Sequence, residues 1–364
     1  MKQTNSLVNS YFIEHVFIAA LWAEGLQVEQ IYAKKITCNR FYLKSRSWSK
    51  KFFVQLFKYF EFSWRVYQFY KNKNIKLINV HSVGLLPLGV FLKWVYKAKL
   101  VYDTHELETE TNGLVGFRKK AVKIIEKILI RKADLILVVG ENIADWYGNA
   151  YDINRPPVVL NAPSQRALKR NNHFREQLGI RDDQIILLYQ GGLAAGRGVH
   201  LILEAFKARS DDKVVAVFMG YGPLQHDIQT AAAQQKNIFF YPAVAPQIVL
   251  EYTSSADFGI HLIQNTCLNH NYCMPNKLFE YAMAGLPVLV SNMKDMSELV
   301  RKNQMGAVIS DFSVAGINQA IDDLLVQDLT TMKANAYRMA CENSWEVQEQ
   351  KMLTAYQGML GANG

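Results

Sequence analysis

The segment NHNYCMPNKLFEYAMAGLPVLVS (269–291) decides the fold class of this chain. Its proline, Pro275, suits the first turn of a helix, and Gly285 suits the point at which that helix ends. The run LPVLVS (286–291) that follows is continuously apolar, which is typical of a strand buried on both faces of a parallel sheet. A helix that leads directly into such a strand indicates an α/β protein.

The same alternation of short β-branched runs and amphipathic stretches extends outward along the chain. Strands are predicted at 26–33, 75–83, 98–106, 133–140, 156–163, 184–192, 213–220, 237–244, 256–263, 286–291 and 306–310. Helices are predicted at 11–24, 116–132, 200–209, 276–285 and 343–361. This pattern predicts repeated βα units with parallel sheets.

The length of 364 residues fits two domains of ordinary size. The charged stretch 164–184 has no strand character and marks the natural boundary between them. We predict a Rossmann-like domain at 1–165, a second one at 166–342, and a final helical range, 343–364, that crosses back to the first. Ligands bind doubly wound sheets at the carboxyl ends of the strands, so we expect a site in the cleft between facing domains.

The cysteines and the apolar runs indicate in which cellular compartment the chain is expected. The four cysteines form no CxxC pair, so we expect reduced thiols rather than disulfides or a zinc framework. No apolar run reaches the roughly 20 residues that cross a bilayer, and the opening MKQTNSLVNS has no signal-peptide core. The expected location is the cytoplasm.

The net charge of +9 is concentrated in the first 160 residues, which hold 24 basic and 13 acidic side chains. Within 34–76 there are twelve basic residues and one acid, interleaved with many aromatic residues. A basic, aromatic helix can lie in a membrane interface, and Lys50, Lys51 and Lys58 are the predicted contacts to anionic lipid. Two alternatives remain open: aromatic residues in a core beneath solvated lysines, or a nucleic-acid surface, for which the sequence holds no motif.

Two glycine-containing turns follow predicted strands. In YQGGLAAGRGVHLILEAF (189–206), Gly191 and Gly192 let the backbone approach a ligand, and Arg197 adds a charge suited to a diphosphate. FMGYGPLQHDI brings Gly220 to a similar position. Neither turn matches the P-loop or the GxGxxG dinucleotide pattern. A tight structural turn is an equally good interpretation of the first and the favoured interpretation of the second.

The helix that begins after Pro275 offers a further anion site. The backbone amides of its first residues, Asn276, Lys277 and Leu278, would point outward toward negative charge. Glu280, one turn later, is placed to accept hydrogen bonds from a ribose diol. A glutamate near a helix N-terminus is often only a partner of the helix dipole, so the spacing alone leaves both interpretations open.

PNKLFEYAMAGLPVLVS resembles the donor-site signature of retaining GT-B glycosyltransferases, family 4 of that classification. Further stretches match this family in order: YDTHE, RKADLILVVGENIADWY, VVLNAP, GGLAAGRGVHLILEA, MGYGP, FFYPAV, ADFGIHL and SWEVQEQKMLTAYQ. The resemblance covers about residues 75–360 and is stronger in the second half. It identifies the second domain as the nucleotide-sugar donor domain and the first as the acceptor-side domain.

The resemblance implies roles for the matching residues. Glu280 would bind the ribose hydroxyls, and Arg197 would hold the diphosphate together with the helix amides. Lys277 would add positive charge near the diphosphate, unless it is a solvated helix residue. His105 would lie near the donor sugar, although a lone histidine is also compatible with a core position. The other implied donor contacts are Gly191, Gly192, Gly220, Val244, Tyr272, Cys273, Asn276 and Leu278.

The sequence departs from the family in three places. Tyr272 stands where a second, sugar-contacting glutamate is usual, so we expect the amides of Tyr272 and Cys273 to do that work. Gly192 stands where a basic residue is usual. The opening MKQTNSLVNSYFIEHVF has neither the first strand nor the glycine-rich loop, so we expect a first domain without its first strand, or a misplaced gene start.

The function implied is transfer of a hexosyl or N-acetylhexosaminyl group from a UDP- or GDP-sugar to an acceptor hydroxyl, with retention. No DxD motif occurs, so neither a metal nor another cofactor is expected. A lipid-linked glycan acceptor at the inner leaflet, in bacterial surface-polysaccharide assembly, fits the basic aromatic helix; no nucleic-acid partner is expected. The leading alternative is an inactive relative that acts as a scaffold. A metal-free GT-B sugar-phosphate epimerase is disfavoured because the sequence shows no catalytic set of carboxylates for it. A dinucleotide oxidoreductase is disfavoured because the GxGxxG pattern is absent.

Overall fold

In the computed structural model, which describes residues 2–361, the chain divides into two units. Unit 1 comprises the chain up to His105, Phe117–Leu137, and the chain from Glu349 onward. Unit 2 comprises Glu106–Gly116 and Val138–Gln348. The domain ranges predicted above stay predictions, and residues 362–364 of the last range lie outside the described residues.

Unit 1 contains two three-stranded sheets, ordered β1-β3-β2 and β4-β5-β6. Its strands are β1 (Val16–Leu21), β2 (Glu29–Ala33), β3 (Ile36–Phe41), β4 (Leu77–Val80), β5 (Lys99–Asp103) and β6 (Leu135–Leu137). Its helices are α1 (Lys2–Asn9), α2 (Phe52–Tyr70), α3 (Leu86–Tyr96) and α4 (Gly116–Leu129). Strands β4, β5 and β6 are parallel, as predicted.

Two predictions for the first half of the chain are wrong. The predicted helix at 11–24 contains strand β1, which pairs in parallel with β3 over its full length, so pairing within the sheet decides the conformation of this apolar run. The predicted strand at 156–163 forms only an isolated bridge between Val138 and Val158. Pro156 and Pro157 have no backbone N–H to donate to a sheet, which accounts for the missing strand.

Strand β2 also runs antiparallel to β3, which the βα pattern did not predict. The turn between them, at residues 34–35, is too short for the crossover that parallel strands require. This hairpin is therefore a local exception within a largely parallel architecture.

Unit 2 contains one six-stranded sheet in the order β12-β11-β10-β7-β8-β9. Its strands are β7 (Ile185–Gly192), β8 (Val214–Tyr221), β9 (Ile238–Pro242), β10 (Phe258–His261), β11 (Val288–Ser291) and β12 (Gly306–Ile309). All neighbours are parallel. From β9, the order is the 3-2-1-4-5-6 arrangement of a doubly wound nucleotide-binding sheet, and every strand predicted after residue 184 is confirmed.

The helices of unit 2 follow the strands as crossover connections. They are α5 (Glu141–Tyr151), α6 (His173–Leu178), α7 (Val199–Ala208), α8 (Gln225–Gln234), α9 (Val249–Thr253), α10 (Leu268–Asn271), α11 (Asn276–Met283), α12 (Lys294–Asn303), α13 (Val314–Leu325) and α14 (Leu329–Glu342). A last helix, α15 (Trp345–Gly361), starts in unit 2 and continues among the residues of unit 1.

Both faces of the six-stranded sheet are covered. Along β7, Ile186 and Leu188 belong to one buried apolar cluster, whereas Leu187 and Tyr189 belong to another. Alternate residues of a strand point to opposite faces, so each cluster fills one face of the sheet. This two-sided burial explains why the strands read as continuous apolar runs in the sequence.

The order of the strands reverses between β7 and β10, and one tyrosine holds that point together. Strands β7 and β10 pair only through Phe258 and Gly259 and then separate. The hydroxyl of Tyr281, on α11, accepts a hydrogen bond from the Gln190 backbone N–H (2.9 Å) and donates one to the Ile260 carbonyl (3.3 Å). The tyrosine thereby satisfies buried backbone groups that a continuous ladder would have paired.

Replacing Gly259 by alanine tests this packing. An added β-carbon would lie 2.3 Å from the ring of Tyr281, so the buried ring must shift, and overpacking of this kind costs about 1–3 kcal/mol. We expect urea denaturation of Gly259→Ala to show that loss. In the control, Gly358→Ala in α15, no atom of the described residues lies within 4 Å of the new carbon, so stability should hold or rise. Equal stability of the two variants would contradict this account.

Candidate functional site

The candidate site lies at the carboxyl ends of β7 and β8 in unit 2, where doubly wound sheets bind ligands. Gly191 and Gly220 are directly paired in the two strands. A β-carbon on Gly220 would lie 1.9 Å from the carbonyl oxygen of Gly191, so the two backbones approach as only glycine permits. Gly192 has open space around it. Gly191 is exposed and Gly192 is half-buried, whereas Gly220 is buried, so the first of the two turns offers its backbone to a ligand.

Helix α11 begins beside this edge. Pro275 is its N-cap residue, in extended conformation, and no side chain caps the first turn. The Leu278 amide donates to the Pro275 carbonyl (3.0 Å), and the Leu278 side chain is fully buried. Of the three predicted amide contacts, Leu278 is therefore already engaged, whereas the amides of Asn276 and Lys277 remain candidates.

Glu280 is oriented by a chain of polar side chains from the sheet and α9. The side-chain amide of Gln190 donates to Glu280 Oε2 (2.5 Å), and Thr253 Oγ1 donates to Gln190 Oε1 (2.8 Å). Gln190 and Thr253 are buried, and Glu280 is half-buried. A carboxylate held in this way is a preorganised acceptor for hydroxyl groups.

Lys277 packs against β7 rather than pointing into solvent. Its Nζ lies 4.4 Å from the ring centroid of Tyr189, 3.4 Å from the Tyr189 hydroxyl, and 3.1 Å from the position that a β-carbon on Gly191 would occupy. Burial, and next the positive charge of Arg197, lower the pKa of Lys277 to about 7. The solvated-residue interpretation of Lys277 is therefore wrong.

Arg197 lies in the exposed turn before α7. Its positive charge acts on Lys277, on Tyr189 and on His261, which places it in the same electrostatic environment. Two cations that act on the same groups, one of them in the first turn of α11, suit the binding of an anion.

His261 is a buried residue near the site for which the sequence motifs predict no role. It ends β10, is buried, and neither ring nitrogen has a hydrogen-bond partner among residues 2–361. Burial, followed by the charges of Lys277 and Arg197, lowers its pKa well below the usual value, so the ring is neutral at physiological pH. Its place inside the apolar strand predicted at 256–263 is the feature of the sequence that could have indicated a buried histidine.

Tyr272 and Cys273 do not offer the backbone amides predicted for sugar binding. The Tyr272 amide donates to the Leu268 carbonyl (3.0 Å) and the Cys273 amide to the His270 carbonyl (3.3 Å). Burial also raises the pKa of the Cys273 thiol to about 12, so it is protonated. The side chain of Tyr272 instead lines a pocket of about 510 Å³ with residues of α5 and with Lys294.

Val244 and His105 complete the predicted donor contacts. Val244 follows β9 and packs partly buried against the core of unit 2, so only its backbone is available to a base. His105 follows β5 in unit 1, with its side chain 41% exposed and its Nε2 next to His81 and Asp103. The core interpretation of His105 is therefore wrong, and its role toward a sugar stays a prediction.

The basic aromatic stretch forms helix α2 only at residues 52–70. Its solvent face carries an apolar stripe of Phe53 (80% exposed), Phe57, Phe60 and Trp64, whereas Val66 and Tyr70 are buried. The core interpretation of the aromatic residues is thus partly right, and the membrane-interface interpretation stays a prediction. None of the helices described, across residues 2–361, combines the length and apolar character required to cross a bilayer.

The predicted lipid-contact lysines differ in their surroundings. Lys50 and Lys51 lie exposed just before α2. Lys58 is half-buried, and its ammonium donates to the carbonyls of Arg46 (3.0 Å) and Trp48 (2.9 Å). Lys58 therefore holds the preceding turn, and Lys50 and Lys51 are the cations available to a partner.

Two family models match consecutive parts of the chain. A model described as "Glycosyltransferase Family 4" matches residues 15–161, and one described as "Glycosyl transferases group 1" matches residues 170–339. A curated relative, lipopolysaccharide 1,2-N-acetylglucosaminetransferase of Salmonella typhimurium, is 26% identical over 207 residues. That alignment covers 52% of this chain and 53% of the relative, so the chain spans about half the length of that protein.

Solved structures resemble nearly the whole chain. Sucrose-phosphate synthase from Thermosynechococcus elongatus has a TM-score of 0.77 at 15% identity and covers 96% of this chain and 90% of its own. WaaG, a glycosyltransferase involved in lipopolysaccharide biosynthesis, has a TM-score of 0.66 at 15% identity, covering 98% and 93%. Anabaena HepE in complex with UDP has a TM-score of 0.65 at 15% identity, covering 82% of each chain. These likenesses confirm the predicted two-domain α/β fold class.

The lowered pKa of Lys277 predicts how the free energy of unfolding changes with pH. The folded chain, in which this pKa is about 7, binds fewer protons than an unfolded chain in which it is 10.5. The free energy of unfolding therefore gains a contribution that rises with pH across this window. Lys277→Met removes the group, so we expect its stability advantage over the wild type to be larger at about pH 6.5 than at about pH 9.5.

Denaturant unfolding at the two pH values measures this difference. Lys302→Met, at an exposed lysine of α12, is the matched control and should show no such pH dependence. A Lys277→Met advantage that is the same at both pH values would contradict the placement of Lys277.

Proposed function

Because this chain belongs to the family-4-like glycosyltransferases of the GT-B type, we propose that it transfers a sugar from a nucleoside-diphosphate sugar to an acceptor hydroxyl. One observation carries the choice of donor: Glu280 is held by Gln190 one turn from the start of α11, where Lys277 and the helix amides also lie. A diol acceptor next to an anion site matches the ribose and diphosphate of a nucleotide.

In this proposal each part of the donor meets a different group. Glu280 accepts hydrogen bonds from the ribose hydroxyls, and the backbone near Val244 contacts the base. The diphosphate lies against Lys277, Arg197 and the amides of Asn276 and Lys277. The complex of HepE with UDP, a relative in fold, supports a uridine nucleotide as the first donor to test.

The chemistry required is departure of the nucleoside diphosphate as the anomeric carbon gains positive character. Lys277 and Arg197 stabilise the negative charge that grows on the leaving group, and Lys277 already lies against Tyr189 before the reaction begins. Bound diphosphate also favours the charged form of Lys277, because it supplies the anion that the lysine lacks in its buried position. We propose that transfer proceeds with retention and without a metal ion.

The sugar and acceptor are proposed from the relatives. The curated relative is named as an N-acetylglucosaminetransferase of lipopolysaccharide, which supports a hexosyl or N-acetylhexosaminyl donor. WaaG is named as a glycosyltransferase of lipopolysaccharide biosynthesis. Both support a lipid-linked glycan acceptor in surface-polysaccharide biosynthesis. His105 is proposed to face the donor sugar.

Nucleotide binding tests the proposal. We expect one of UDP and GDP to raise the melting temperature of the purified chain and to bind with a calorimetrically measurable affinity. Glu280→Ala should weaken that affinity about ten- to a hundredfold, because it removes hydrogen bonds to a charged acceptor. The matched control is Glu342→Ala, at an exposed glutamate that ends α14.

Two outcomes would count against the proposal. Unchanged nucleotide affinity in Glu280→Ala would refute the assignment of the ribose site. Nucleotide binding without release of nucleoside diphosphate, when UDP- or GDP-sugars and glycan acceptors are supplied, would favour the scaffold alternative over an enzyme.

We further propose that α2 holds unit 1 at an anionic membrane surface from the cytoplasmic side. The apolar stripe of Phe53, Phe57 and Phe60 lies next to the exposed Lys50 and Lys51. Aromatic residues insert among acyl chains and headgroups while nearby lysines meet anionic lipid, and the two contributions add. Such a location would bring a lipid-linked acceptor to the protein.

Vesicle sedimentation tests this surface. We expect binding to vesicles that contain phosphatidylglycerol and weak binding to phosphatidylcholine alone. Phe53→Ser with Phe60→Ser should reduce binding, as should Lys50→Glu with Lys51→Glu. The control, Lys236→Glu with Lys302→Glu, makes the same charge change at exposed lysines of unit 2. If the control pair reduces binding as much as the α2 pair, net charge rather than α2 explains the association.

A further inference from the structure

His81, Asp103 and His105 meet at the carboxyl ends of β4 and β5 in unit 1. Nδ1 of His81 lies 3.3 Å from Asp103 Oδ2 and 3.1 Å from Nε2 of His105. Nε2 of His105 lies 3.8 Å from the same carboxylate oxygen. Two neighbouring parallel strands thus bring together three metal-ligating atoms, one from each side chain, within 4.8 Å of one another.

These separations match one shared metal ion. Zinc holds histidine nitrogens and carboxylate oxygens at about 2.0–2.2 Å, so ligand atoms in a tetrahedral shell lie roughly 3.3–3.6 Å apart. The three observed distances, 3.1, 3.3 and 3.8 Å, lie around that range. A single point about 2 Å from all three atoms therefore exists, and small rotations of the two imidazole rings would direct their nitrogens toward it.

The carboxylate provides a second, independent observation. Asp103 is 2% exposed, and its Oδ2 is a buried oxygen without a hydrogen-bond partner in the described structure. An ionised oxygen that is buried and lacks a hydrogen bond is costly unless a cation compensates it. The oxygen lies next to both histidines, where a bound cation would neutralise it.

The histidines leave one side of the cluster open. Their side chains are 47% exposed at His81 and 41% at His105, so a water or another ligand can reach the shared point from outside unit 1. Three protein ligands with an open fourth position are the arrangement of accessible zinc sites. Without an ion, the His81–His105 contact serves as a hydrogen bond between one protonated and one unprotonated nitrogen.

We propose that His81, Asp103 and His105 bind a divalent transition-metal ion of the zinc class. Two imidazole nitrogens and one carboxylate oxygen suit Zn²⁺, Co²⁺, Ni²⁺ or Cu²⁺, whereas Mg²⁺ prefers oxygen ligands alone. The site lies in unit 1 and shares no residue with the nucleoside-diphosphate contacts proposed above, which are in unit 2.

The site has a consequence for activity, which rests on the proposed function. A metal ion engages Nε2 of His105 and withdraws that nitrogen from the donor sugar. Zinc should therefore inhibit sugar transfer, and a chelator should restore it. Because metal binding is measured directly, its failure can be told apart from failure of the proposed function.

Calorimetric titration with zinc chloride tests the proposal on the untagged full chain, after removal of metals with a chelator. We expect one equivalent to bind, with Co²⁺ giving the intense visible absorption of a tetrahedral site as a second readout. His81→Ala and His105→Ala should each weaken zinc binding more than about tenfold. His226→Ala, at an exposed histidine of α8, is the matched control and should bind as the wild type does.

Thermal melts show whether each variant is folded, and the exposure of both histidines favours tolerance of their removal. Asp103→Asn, which keeps the side-chain shape and removes the charge, is a third variant with the same expected loss. The absence of stoichiometric zinc binding to the wild type would overturn the proposal. Binding that survives both histidine substitutions would overturn it as well.

Discussion

The hydroxyl of Tyr281 is the constraint on which the candidate site depends. Strands β7 and β10 must separate to open a crevice where the strand order reverses, and separation leaves buried backbone groups without ladder partners. Tyr281 accepts from Gln190 and donates to Ile260, and Gly259 makes room for its ring. Because Tyr281 lies on α11, this same contact fixes the neighbouring Glu280 against the side chain of Gln190.

The same helix supplies the electrostatics of the site. Lys277 packs against Tyr189 and Gly191, and the charge of Arg197 acts on it. Loss of solvent around its ammonium group is the main reason why the pKa of Lys277 is lowered. An anion that enters this site stabilises the charged forms of both cations. Because the fold already places Lys277 there, little reorganisation of this side chain opposes anion binding. In the proposed reaction, the same field would stabilise a departing diphosphate more strongly as its charge grows.

The sequence predicts the six-stranded sheet and α11 well, because buried parallel strands and a proline-started helix have strong local signatures. It also predicts Glu280, Gly191 and Arg197 as donor-site residues through their motif, and these roles stay predictions. Gln190 and Thr253 could not be predicted, because their role comes from long-range packing of β7, α9 and α11. The predicted helix at 11–24 was wrong for a similar reason, since pairing with β3 decides its conformation.

The central claim is that Glu280 and Lys277 form the ribose and diphosphate ends of one nucleotide site. A crystal structure of the chain with UDP, or with GDP if that nucleotide binds, tests it most directly. The account predicts both ribose hydroxyls within hydrogen-bond distance of the Glu280 carboxylate, and phosphate oxygens next to Lys277 Nζ and Arg197. A nucleotide bound elsewhere, or in this crevice with its ribose away from Glu280, would contradict it.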